Sequence, residues 1–141
     1  MQAIYLSFLL ALGRFETTAP LNLYIPSKAD YKVGAHKEIS RYQIRPTLWR
    51  RYVKNSKAAT NPQISLSVTQ KILDSRIKLF YSAYKRQPNV YEMYILWNAP
   101  NQIIYERSGI SRTVHNRAVR FINLYETIRK IDKRNEIYKN Q

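Results

Sequence analysis

The sequence predicts an all-α protein: a four-helix bundle preceded by an extended, basic, helical N-terminal arm. Three observations carry this. Only three glycines occur in 141 residues, which fits a chain of helices with few tight turns. Ile64, Val68, Ile72, Arg76, Phe80 and Tyr84 recur every fourth residue, with Leu73, Ile77 and Leu79 widening the stripe, as in an amphipathic helix. Pro62, Pro88, Asn89, Pro100 and Gly109 then punctuate the C-terminal half at helix-length intervals. The expected organisation is an irregular, partly apolar extension over 1–38, a basic arm over 39–61, the bundle over 62–133 and a polar tail over 134–141.

The extension opens on an apolar run, Ala3 to Leu12, ending at Gly13. No cationic segment precedes it, which argues against a cleaved signal peptide. It is also shorter than the roughly 20 residues that span a bilayer. It is expected to pack on a neighbouring subunit, on a lipid or other apolar surface, or on its own domain as a strand or helix. Pro20, Pro26 and Gly34 predict irregular structure over 13–38, where Lys28, Lys32 and Lys37 begin the basic region.

Next comes the arm. Arg41 and Arg45 are four apart and would share a helix face that Pro46 ends or kinks. Thr47 to Lys54 predicts a second short helix, with Arg50 and Lys54 again four apart. Residues 57–62 read as a linker.

The first bundle helix follows Pro62 and stops at Lys85, Arg86 and Pro88. Asn89 can cap the next, Val90 to Trp97, which is apolar almost all round. Asn98 and Pro100 predict a third helix running to about Arg107, and Gly109 breaks it. Ser111 or Thr113 starts a fourth, with Val114, Ala118, Phe121, Leu124 or Tyr125, Ile128 and Ile131 facing inward. Residues beyond Lys133 are polar enough to fray.

Charge points to function. Lys and Arg number 24 against 9 Asp and Glu, a net charge of +15. Between Ile39 and Leu73 there is no acid at all, while Arg41, Arg45, Arg50, Arg51, Lys54 and Lys57 crowd its first half among Tyr42, Trp49 and Tyr52. Concentrated positive charge self-repels, so it marks contact with a polyanion, most commonly a phosphate backbone. Six phosphate contacts would give a log–log salt slope of about −5. Such contacts position a protein without reading sequence. Trp49 beside Leu48 reads better as an anchor to protein than as a wedge in nucleic acid. A second cationic cluster lies at Gly109 to Arg117. It reads either as a helix-turn-helix with Arg112, Asn116 and Arg117 as base-contacting types, or as a second phosphate face of Arg112, Arg117 and Arg120.

Catalysis has little support. There is no cysteine, and His36 and His115 lie far apart without clustered carboxylates. Glu92 and Glu106 read as partners for cations. No enzyme, metal site or cofactor is expected. The candidate nucleic-acid-binding set is Arg41, Tyr42, Arg45, Arg50, Arg51, Lys54, Lys57, Arg112, Arg117 and Arg120.

The order of elements carries a resemblance. A basic arm leads through Asn61-Pro62 into the bundle. The third element reads Ala99-Pro100-Asn101-Gln102-Ile103-Ile104-Tyr105, then Gly109-Ile110 and a cationic helix. Over roughly residues 40–130 this resembles the major coat (capsid) proteins of the filamentous viruses of hyperthermophilic archaea, the rudivirus and lipothrixvirus group. The resemblance implies a structural protein that assembles in the host cytoplasm into a virion nucleocapsid. It would pair as a homodimer, or as a heterodimer with a related coat protein. Its helical arms would wrap double-stranded DNA in the A form, without sequence specificity, within a helical polymer that some members enclose in a lipid envelope. The DNA-facing group would be Arg41, Arg45, Arg50, Arg51, Lys54 and Lys57. The departure is residues 1–38, longer and more apolar than the simplest arm of that family. Two other readings stand beside it: a ribosomal protein, organellar or otherwise, threading rRNA with its arm, and a helix-turn-helix regulator.

Overall fold

The computed structural model describes the backbone of residues 3–139 and the side chains of residues 5–132. The chain is all-α, with α1 (Ala3–Thr17), α2 (Pro46–Trp49), α3 (Pro62–Tyr84), α4 (Val90–Asn98) and α5 (Arg112–Lys139). Single 3-10 turns occupy Lys28–Tyr31, Ser56–Thr60 and Pro100–Gln102. Among the described residues the one extended pairing is an isolated antiparallel bridge, Ile39 with Ile44. Two compact units result. The first runs to Thr69 and resumes at Thr127; the second is Gln70–Glu126.

In the first unit the segment between Thr18 and Ile39 is irregular apart from the turn Lys28–Tyr31, while helix runs on past the apolar run to Thr17. The apolar run is a helix, and Phe8, Leu9, Ala11 and Leu12 are completely buried. It forms core of its own fold, because a nearly continuous apolar segment gains most by burial wherever the chain can reach it. Gly13 lets other groups close on this helix: a methyl group there would meet Ala19, the Arg41 stem and the Tyr42 ring at 3.4–3.5 Å. The helix stops when Thr18 turns left-handed (φ 56°) and its N–H bonds to the Arg14 carbonyl at 2.9 Å.

The paired helices of the arm also need correction. Residues 39–45 form a tight turn closed by Ile39 N–H to Ile44 O (2.8 Å) and its reciprocal (2.7 Å), with Ser40 and Gln43 left-handed. Arg41 and Arg45 therefore share no helix face. The residue before a proline avoids helical geometry, and α2 starts at Pro46 itself and lasts one turn.

In the second unit α4 has the expected cap. Asn89 accepts from the Glu92 N–H at 2.8 Å, and Glu92 accepts from the Asn89 N–H at 3.0 Å. Arg86 grips the same carboxylate with two bonds, at 2.8 and 2.7 Å. Met93, Tyr94, Ile95 and Leu96 are buried, and Tyr94 stacks on Phe121 with ring centroids 4.6 Å apart. Arg76, polar within an apolar stripe, donates to the Leu96 and Trp97 carbonyls at 2.8 and 3.0 Å, satisfying the end of α4.

The third bundle helix is absent; its position holds the 3-10 turn Pro100–Gln102 and further turns. Ile103 is the single buried side chain over 98–111. A segment with no apolar face to bury gains too little to offset helix nucleation. By contrast, α5 starts where expected, with the Ser111 hydroxyl accepting from the Val114 N–H at 3.3 Å. Val114, Ala118, Phe121, Tyr125 and Ile128 are buried, Leu124 is half-buried, and Ile131 is exposed, against expectation. The helix backbone runs on to Lys139, so the polar tail expected over 134–141 is helical as far as 139. Its side chains lie outside the described residues.

The grip of Arg86 holds the Glu92 carboxyl below the ordinary carboxylate range, aided by the Asn89 N–H and opposed by partial burial. A depressed folded value means the stabilisation is present above the unfolded pKa and is lost as pH falls through the folded one. Glu92→Gln, which keeps the shape and removes the charge, is therefore expected to be less stable than the wild type at neutral pH. The gap should narrow as pH falls below about 4. Urea unfolding of both proteins across that range measures it.

Candidate nucleic-acid interface

Trp49 organises the cationic segment. It is 0% exposed, and its indole N–H donates to the Asn55 carbonyl at 3.2 Å. The ring is thus an anchor within its own fold. The Tyr52 and Val53 N–H groups bond back to the Trp49 carbonyl at 2.9 and 3.0 Å. Asn55 then accepts from the Lys57 N–H at 3.0 Å and caps the turn Ser56–Thr60, whose Ala59 is buried. With Trp49 and Ala59 facing in, Arg45, Arg50, Arg51, Lys54 and Lys57 all face solvent. None of the five makes an ion pair among the described residues. The turn Lys28–Tyr31 lies beside the turn Ser56–Thr60, which sets exposed Lys28 near the same surface.

Two members of the candidate set are elsewhere. Arg41 is 1% exposed. Its Nε donates to one Asp30 carboxylate oxygen at 2.8 Å and its NH2 to the other at 3.1 Å. NH1 also donates to the Asn22 carbonyl (2.9 Å) and NH2 to the Ile25 carbonyl (2.6 Å). Each of the three nitrogens is engaged inside the fold, and burial closes the group to a phosphate. Tyr42 is fully buried beside it, and burial raises the pKa of its phenol above the ordinary value. Its hydroxyl has no hydrogen-bond partner among the described residues. Sequence spacing concealed both facts, because a buried cation and an exposed one share a letter. The useful sign was Asp30, the lone acid between Glu16 and Glu38.

On α5, Arg112 and Arg120 are exposed. Arg120 lines a shallow depression with Thr113, His115, Asn116 and Val119. Arg117 is half-buried, and its Nε donates to the Tyr94 hydroxyl at 2.7 Å, so it braces the unit. His115 pairs with the Tyr91 hydroxyl at 2.8 Å. A helix-turn-helix needs a helix packed just ahead of its reader, and here a 3-10 turn stands between α4 and α5. The exposed candidates are thus five cations on the pinned loop and, in the other unit, two on α5.

Among the described residues no group of acids and histidines is arranged to hold a metal ion. Nor is any described helix long and apolar enough to cross a membrane. Comparison of the chain with protein-family models, with curated proteins and with solved structures finds no match.

Removing one partner of a buried pair strands the other. Arg41→Ala is thus expected to cost about 3–5 kcal/mol of stability. Arg50→Ala, at an exposed site, should stay within about 0.5 kcal/mol. Urea denaturation of the two variants separates the buried cation from the exposed one.

Proposed function

We propose that the chain binds double-stranded DNA along its phosphates without reading sequence, as the subunit of a helical nucleocapsid. One observation carries this: five solvent-facing cations, without an ion pair among the described residues, on a loop whose backbone is pinned by Trp49 and Asn55. Pinning matters because cations already held outward lose little freedom on meeting a polyanion. The net charge of +15 supplies long-range attraction. The virion location and the paired subunits rest on the coat-protein resemblance.

Two changes follow from the fold. The cations sit on a folded surface in place of an extended wrapping arm, and Arg41 and Tyr42 leave the contact set. Of a four-helix bundle, the chain supplies α3, α4, α5 and a 3-10 turn. A surface of this kind meets phosphates through exposed guanidinium and ammonium groups on a pinned loop whose only α-helix is the single turn of α2, so it lays no long helix in a groove. Such contacts follow the backbone of any duplex, which is what coating a whole genome requires.

Titrations at several salt concentrations test this reading. Binding to unrelated duplexes should be equally tight, with a log–log salt slope of about −4.5 for five phosphate contacts. Changing Arg50, Arg51 and Lys54 to Glu should flatten that slope by about 3. The far-ultraviolet circular dichroism should stay as it was, since all three side chains are exposed. An unchanged slope overturns the interface. A marked preference for structured RNA over duplex DNA would replace the coat reading with the ribosomal one, and tight binding to one duplex alone would replace it with a regulator.

A further inference from the structure

The fold leaves two tyrosine rings standing among the cations of the interface. Of the three rings that the sequence sets in the basic segment, Tyr42 and Trp49 are 0% exposed and belong to the core, while Tyr52 is 38% exposed. Tyr52 lies between Arg51 and Lys54, inside the loop that the Trp49 indole closes on the Asn55 carbonyl. A second ring comes from outside that segment. Tyr31 is 69% exposed, and it ends the turn Lys28–Tyr31, which lies beside the turn Ser56–Thr60. Exposed Lys28 and Lys32 flank it. Each exposed ring thus stands between two cations along the chain.

Tyr31 is held in this position by its neighbours. The Asp30 carboxylate, buried against Arg41, accepts from the Ser27 N–H at 2.8 Å, and the Ser27 hydroxyl accepts from the Ala29 N–H at 3.1 Å. With Ala29 and Asp30 anchored inside, Lys28 and Tyr31 are turned to solvent. Among the described residues neither Tyr31 nor Tyr52 stacks on another ring or hydrogen-bonds through its hydroxyl, so the fold itself makes little use of the two rings.

Duplex phosphates account for the cations but not for the rings. In a duplex each base face is covered by its neighbours, and only edges, sugars and phosphates are open. An unpaired strand exposes its base faces, and aromatic rings beside a cationic track take them up by stacking. An acidic peptide carries the charge but offers flat faces only where it holds aromatic residues, whereas every nucleotide carries one.

We infer that the interface also holds unpaired nucleotides, with Tyr31 and Tyr52 stacking on bases while Lys28, Arg51 and Lys54 take the adjoining phosphates. The inference rests on the proposed function for one premise, that the loop's cations meet phosphates. It adds a second form of nucleic acid, at single-stranded ends or opened stretches, which duplex coating does not require.

The test is fluorescence-anisotropy titration of the full chain with labelled oligo(dT), oligo(U), an abasic strand of the same length and a mixed-sequence duplex. Oligo(dT) or oligo(U) should bind at least about tenfold more tightly than the abasic strand, which keeps the phosphates and lacks the bases. The tighter of the two tells a DNA strand from an RNA one. Tyr31→Ala and Tyr52→Ala should each weaken binding to that strand about fivefold or more, with duplex binding and circular dichroism unchanged. Tyr31→Phe and Tyr52→Phe, which keep the ring, should bind as the wild type does. The inference is overturned by base-bearing strands that bind no tighter than the abasic one, by Ala variants that weaken duplex and single-strand binding equally, or by Phe variants that lose as much as the Ala variants. Absence of duplex binding alone overturns the duplex reading and leaves this one standing, and binding to no strand removes both.

Discussion

The buried pair of Arg41 with Asp30 is the constraint on which the first unit depends. It joins a turn at Lys28–Tyr31, a loop at Asn22 and Ile25, and the tight turn that carries Arg41 itself. The Arg41 carbonyl in turn accepts from Thr17 at the end of α1. One side chain and its own backbone thus tie four stretches of chain that have no ladder or helix pairing to hold them together. Taking two charges out of water is costly, and the cost is offset only when close partners surround them. Here the guanidinium meets two carboxylate oxygens and two carbonyls. The gain is a fixed shape for a long irregular segment, which helix packing alone would not supply.

That pair also explains where reading the sequence succeeded and failed. Periodicity located α3 and α5, because Ile72, Phe80, Phe121 and Ile128 fall at helical spacing and nothing competes with it, while α4 was marked by its cap and its length between Pro88 and Pro100. Caps at Asn89 and Ser111 were legible for the same reason: their partners are three residues away. Arg41 was not legible. Its partners are 11, 16 and 19 residues distant, and a contact at that range leaves no periodic trace. A cation four residues from another looked like half of a helix face. The third bundle helix failed for a related cause. Asn98 and Pro100 promised a start, but of the residues that followed only Ile103 is buried. For the N-terminal run the sequence left several partners open, its own domain among them, because burial of an apolar helix leaves no mark of what covers it; the fold takes it in.

In the candidate interface, the sequence identified the charge but not its division. Of seven residues proposed in the arm, five face solvent and two are core. The segment from Ile39 to Leu73 is free of acid along its whole length, yet the reason differs along it. Around Arg50 the lack of acids leaves cations turned to solvent. At Arg41 the acid is present, supplied from Asp30. Composition reports charge without depth, and depth decides whether a cation binds a partner or the protein itself.

The first unit is discontinuous in the chain. Its helix α1 is made first, and the Ser7 hydroxyl donates to the Asp132 carboxylate, 125 positions later, at 3.1 Å. Residues 70–126 form a continuous unit with local caps at both Asn89 and Ser111. During synthesis the later-made unit has all of its parts as soon as they leave the ribosome, while the earlier-made one must wait for the end of α5. The Ser7–Asp132 bond is consequently among the last contacts of the first unit that can form. The order of birth and the order of completion thus run opposite ways.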